Sequence, residues 1–136
     1  MRVVGGQISD IFGGERTLIF SLCVVLAGSV TMLASGALAF SIAGILLLAI
    51  GMGMSNAAVF KLVAQEIPEA VGGAAGWIGG LGAFGGFVIP PLMGAIVSAF
   101  GEKGYSAGFG ILLVLAVLSL ILSFILKINA ELKHST

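Results

Sequence analysis

The sequence predicts an all-α integral membrane protein with four complete transmembrane helices and the end of a fifth. Two observations carry this. The first is composition: of 136 residues, 59% are hydrophobic and only 9% are charged, against about 25% charged residues in ordinary soluble domains. The second is where the charges fall. None occurs from Thr17 to Phe60, from Ala70 to Gly101 or from Gly104 to Leu126. A helical span needs about 20 apolar residues, so the first stretch fits two spans and the other two fit one each.

The elements follow in order. Residues 1–8 read as the tail of a helix that began earlier. Gln7 to Arg16 read as a turn in which Gly5, Gly6, Gly13 and Gly14 allow tight backbone and Asp10 and Arg16 meet a polar boundary. The first complete span is expected over about 17–35, closed by Ser35-Gly36, and the second over about 39–62. Lys61, Glu66, Pro68 and Glu69 mark a polar exit, with Pro68 stopping the helix. The third span, about 72–100, is rich in glycine, and Pro90-Pro91 is expected to kink it. GEKGYSAG reads as the next turn, about 106–126 as the last span, and Lys127 to Thr136 as a polar tail.

Lysines and arginines set the expected orientation. Arg16, Lys61, Lys127 and Lys133 fall on one side and only Lys103 on the other, so both termini and the Pro68 loop are expected in the cytoplasm. A formal net charge of zero argues against a nucleic-acid partner. Cys23 is the sole cysteine and cannot form an internal disulfide. The Gly-rich, charged start is not read as a cleaved signal. No metal-ligand spacing, nucleophile–base pair or phosphate loop is present, so neither enzyme chemistry nor a cofactor is expected. The glycines of the third span are not a dinucleotide fingerprint, because no strand precedes them.

Few residues stand out for function. Arg2 lies eight residues before Asp10. A cation followed by a Gly-rich acidic turn suggests an anion site beside a gating loop, and an arginine within a membrane usually faces a cavity, partner or ligand. Spacing alone favours the simpler reading, an arginine snorkelling to the interface. Gly72-Gly76-Gly80 and Gly82-Gly86 have the small-xxx-small spacing of close helix packing. The same glycines leave room for a small anion and let a helix slide or bend. Asn56, in an apolar run without charges, reads as an interhelical hydrogen bond, and Trp77 as packing.

Several stretches carry a resemblance. GGQISDIFGGER resembles the cytoplasmic loop motif of the major facilitator superfamily, G-x-x-x-D-x-x-G-x-R, at its occurrence between helices eight and nine. NAAVFKLVAQEIPEAVGGAAG followed by WIGGLGAFGGFVIPPLMG is similar to the nitrate/nitrite porter family, whose eleventh helix carries a Gly-rich nitrate signature. The resemblance covers essentially the whole chain. It implies the end of helix eight and helices nine to twelve of a twelve-helix transporter, a partial C-terminal half, with the first seven helices missing.

The resemblance also implies roles. Arg2 takes the place of the family's anion-binding arginine, and Gly79 and Gly82 line the substrate path. Asp10, Gly14 and Arg16 belong to the gating loop. Asn56, Gly85, Gly86 and Pro90 belong to packing or signature positions. The implied partners are nitrate or nitrite, the lipid bilayer and the missing N-terminal half, with protons in those relatives that couple to them. The implied mechanism is alternating access, as uptake or as nitrate/nitrite exchange. Ser55-Asn56-Ala57-Ala58 stands where Gly-Asn-Gly-Ala is usual, and Gly79 where some relatives have serine; these departures bear on substrate preference. Two other classes compete: a stand-alone four-helix packing or assembly protein without transport, and a half-transporter that needs a separately encoded partner.

Overall fold

The computed structural model describes residues 13–34, 36–101 and 103–134, with side chains described to 128 apart from that of 103. Among these residues every regular element is helical. The chain runs through α1 (Gly14–Leu33), α2 (Leu38–Glu66), a 3₁₀ turn (Pro68–Ala70), α3 (Val71–Phe100), α4 (Lys103–Gly108) and α5 (Gly110–His134). Four helical stretches among the described residues are long and apolar enough to cross a membrane: Gly14–Leu33, Leu38–Glu66, Pro68–Phe100 and Gly104–Ile128.

Each boundary has a local cause. Gly13 enters α1 with φ +85°, a backbone conformation that costs a side chain energy. The Thr17 amide and hydroxyl both donate to the Gly13 carbonyl, at 3.2 and 2.8 Å. At the other end the Ala34 amide donates to the Val30 carbonyl, and the extended Ala37 opens α2. That helix stops at Glu66 because Pro68 disfavours helical geometry at the residue before it: Ile67 has φ −133° and ψ 60°. Pro68 then opens the 3₁₀ turn, where its missing amide is not needed.

α1 and α2 form a tightly packed antiparallel hairpin, and glycine makes it possible. A Cβ on Gly28 would lie 2.9 Å from the Leu48 backbone nitrogen. On Gly51 it would lie 2.8 Å from the Val25 nitrogen and 2.9 Å from the Ser21 carbonyl oxygen. On Gly44 it would meet the Met32 side chain at 2.7 Å, and on Gly14 the Leu62 side chain at 2.8 Å. The two members of each pair, Gly28 with Leu48, Met32 with Gly44 and Val25 with Gly51, stand equally far from the turn. That is the register of an antiparallel seam. Hydrocarbon around a helix is as apolar as leucine, so van der Waals contact at this close approach, rather than water exclusion, holds the seam.

α5 completes the packed part. Ala116 joins Val25, Met32 and Leu48 in a buried cluster, with Leu26, Phe109 and Leu112 against it. α3 is different: none of its residues is buried, and Trp77, Leu81, Phe84 and Phe87 are all exposed. Its close packing is to α4. Gly101, at φ +62°, closes α3, and its amide donates to the Val97 carbonyl at 2.8 Å.

One expectation is corrected here. The segment read as a simple turn, GEKGYSAG, contains the helix α4. A Cβ on Gly104 would lie 2.5 Å from the Val97 Cα, so only glycine lets this segment wind directly against the end of α3. The last long helix begins at Gly110, within an apolar span that runs from Gly104 to Ile128. Trp77, read as a packing residue, is 75% exposed. α3 is helical without interruption through Pro90 and Pro91. The two prolines withdraw the amides that would otherwise bond the Gly86 and Phe87 carbonyls.

Candidate functional site

A cavity of about 530 Å³ opens between α2 and α3. From α2 it is lined by Met52, Ser55, Asn56, Val59 and Phe60, and from α3 by Ile78, Gly79, Gly82 and Ala83. Both sets follow helical spacing, so each is one face of its helix. Gly79 and Gly82 add no side chain between those of Ile78 and Ala83 on this face, and a Cβ at either would meet nothing within 4 Å. The lining is therefore mostly apolar with a small polar spot at Ser55 and Asn56, the usual character of a small-molecule site.

Three residues singled out from sequence thus come together here: Gly79, Gly82 and Asn56. Asn56, read as a packing residue, is exposed and lines the cavity. Gly85, Gly86 and Pro90 lie further along α3 and do not line it. No Cβ clash would occur at Gly82 or Gly86, so the close helix approach expected of them is not made among the described residues. The other expected packing stripe, Gly72-Gly76-Gly80, lies with Trp77 and Leu81 along a separate groove of about 410 Å³. The α3 glycines therefore divide between two faces.

Of the residues expected in a gating loop, Gly14 and Arg16 fall at the opposite end of the hairpin from the Ala34 turn. Gly14 is buried against Leu62, and Arg16 is exposed on the first turn of α1. A second cavity, about 340 Å³, lies at this end, where Glu15, Glu66 and Lys127 rim a floor of Leu18, Ile19, Leu62 and Leu126. Arg2 and Asp10 lie outside the described residues. The cavity residues that sequence reading missed are Met52, Ser55, Val59, Phe60, Ile78 and Ala83. Helical spacing around Asn56 and around Gly79-Gly82 would have found them once α2 and α3 were known to face each other.

Comparison with known proteins agrees with this architecture. The family model described as Major Facilitator Superfamily matches residues 1–136. A probable nitrate/nitrite antiporter, NarK1 of Thermus thermophilus, is 33% identical over 68% of this chain and 25% of its own length. A probable nitrate transporter, NarT of Staphylococcus haemolyticus (strain JCSC1435), is 30% identical over 89% of this chain and 31% of its own. NarT of Staphylococcus aureus (strain N315) is 31% identical over 68% of this chain and 24% of its own. The chain thus spans about a quarter to a third of the length of these relatives. No solved structure gives a significant match. The chain belongs to the Major Facilitator Superfamily, and its relatives, at modest identity, group it with the nitrate/nitrite porters of that superfamily.

Proposed function

We propose that this chain is part of a nitrate/nitrite transporter working by alternating access, and that the cavity between α2 and α3 lies on the anion's path. The observation that carries the reading is the coincidence of two facts. Relatives along the chain are named for nitrate and nitrite transport, and the glycines singled out as substrate-lining, Gly79 and Gly82, line one cavity with Asn56.

In this reading Arg2 supplies positive charge to the site. A guanidinium presents a planar fork of donors, cannot lose its charge near neutral pH and suits the planar oxygens of nitrate. Asp10, Gly14 and Arg16 serve the cytoplasmic gate. The bare face of α3, with its exposed aromatics, packs against helices supplied by the rest of the transporter, in keeping with the fraction of each relative that the chain covers. Both termini are cytoplasmic, in the inner membrane of a prokaryote. The cavity-lining glycines let α3 move during the access change without dragging side chains through the path.

The test is uptake in membrane vesicles that contain the full-length transporter. Nitrate or nitrite should enter wild-type vesicles. Arg2→Lys should bind nitrate much more weakly, because lysine keeps the charge but loses the two-pronged geometry. Vesicles that move neither anion would overturn the reading, and unchanged nitrate affinity in Arg2→Lys would remove Arg2 from the site.

A further inference from the structure

The hydroxyl groups of α1 and α2 donate their protons within their own helices. Thr17 bonds the Gly13 carbonyl at 2.8 Å, Ser21 that of Leu18 at 2.8 Å, Ser29 that of Val25 at 2.9 Å and Thr31 that of Ala27 at 2.8 Å. Ser55, on the cavity, does the same: its Oγ donates to the Met52 carbonyl at 3.1 Å. A hydroxyl has one proton, so Ser55 has only lone pairs left for a cavity ligand. The other lining side chains are apolar or absent, apart from Asn56. The backbone amides of both helices are committed to their ladders.

An anion in this cavity needs donors, because lone pairs repel it. We infer that the Asn56 carboxamide is the hydrogen-bond donor through which this cavity holds a small, singly charged oxyanion; this rests on the transport reading above. The carboxamide carries two N–H groups and a carbonyl, so it can keep a protein neighbour and still present an N–H to the anion. The rest of the lining favours the same class of ligand. The cost of bringing an ion out of water rises with the square of its charge, and a described lining with one neutral donor group adds little to offset that cost for a doubly charged anion. A monovalent anion such as nitrate or nitrite loses less. Among the described residues no titratable side chain lines the cavity, so the hold of Asn56 on the anion does not depend on a proton gained or lost by a described neighbour.

The experiment measures equilibrium binding of nitrate and of nitrite to the purified full-length transporter, beside membrane abundance and thermal stability. Asn56→Leu should bind either anion about 10- to 100-fold more weakly, the loss expected for one hydrogen bond to a charged group, with abundance and stability unchanged. Asn56→Gln should recover part of the affinity. Asn56→Asp should bind poorly at neutral pH, where the carboxylate repels the anion. It should then recover as the pH falls and the acid becomes a neutral donor.

Unchanged affinity in Asn56→Leu overturns the inference, as does a loss of affinity that merely tracks a loss of stability. Should Asn56→Leu fail to accumulate, the pH profile of Asn56→Asp decides: recovery at low pH supports the donor role, and a flat profile overturns it. Wild-type protein that binds neither anion overturns the transport reading itself. Wild-type binding with an indifferent Asn56→Leu overturns only the assignment of Asn56.

Discussion

Glycine does two different jobs in this chain, and the α1–α2 seam and the α3 face show them side by side. In the seam, the missing methyl is what brings two backbones together. A Cβ on Gly28 or Gly51 would strike backbone atoms of the facing helix below 3 Å, and backbone cannot swing aside as a side-chain tip can. On α3, a Cβ at any glycine from Gly72 to Gly94 would meet nothing within 4 Å. There glycine leaves a helix face bare. The same residue type at similar helical spacing is thus mechanical in one place and, on our reading, permissive for a ligand and for other helices in the other. Only the surroundings distinguish them.

The sharpest way to break this contrast is to add a methyl group to both sets. Gly51→Ala and Gly28→Ala should have the largest effect on folding. Each overpacks the seam against unyielding backbone, at a cost of about 1–3 kcal/mol, read as a drop in membrane abundance and in thermal unfolding temperature. Normal abundance and stability in both variants would show that the seam is looser than the contacts indicate.

Gly79→Ala and Gly82→Ala should act on another axis. Nothing in the described structure opposes the added methyl, so abundance and thermal stability should stay near wild type while nitrate uptake falls. Loss of all three together would mean that these positions pack against other helices and would leave their pathway role without support. Wild-type uptake in both would detach the glycines from the substrate path. Smaller in effect is Gly101→Ala, where φ is +62° and a side chain in left-handed geometry costs roughly 1–2 kcal/mol. It should lower the unfolding temperature modestly and leave anion affinity unchanged. A change in affinity would couple the α3–α4 corner to the site.

Much of the fold was legible because it depends on local chemistry. Charge-free run lengths delimit the four spanning helices, and Pro68 stops α2 through its effect on Ile67. What depended on contact across helices was not legible. Gly28, Gly44 and Gly51 attract no notice beside the denser glycines of α3, yet they are the ones in tight contact. Their role emerges only when the chain is folded back at 34–38 and residues equally far from the turn are paired. The helix α4 depends on the approach of Gly104 to Val97, which no local pattern announces.

The site divides in the same way. Gly79 and Gly82 stand out by composition and resemblance. Asn56 reads from sequence as an interhelical hydrogen bond because no charge accompanies it; only the facing of α2 and α3 brings it to the glycines. The hydroxyl beside it on the cavity, that of Ser55, is bonded within its own helix, which is the default for serine and threonine in a helix surrounded by hydrocarbon.

The most direct measurement of the central claim is substrate protection of a single cysteine. The native thiol, Cys23, is exposed on α1 and would first be replaced by serine in the full-length transporter. Gly82→Cys then places a thiol on the cavity face, and Gly80→Cys places one on the separate groove with Trp77. Labelling by a small water-soluble thiol reagent is followed with and without nitrate. The expected result is that nitrate slows labelling at Gly82→Cys and leaves Gly80→Cys unaffected. Equal labelling of Gly82→Cys at all nitrate concentrations, in a protein that still binds nitrate, would contradict the placement of the anion path between α2 and α3.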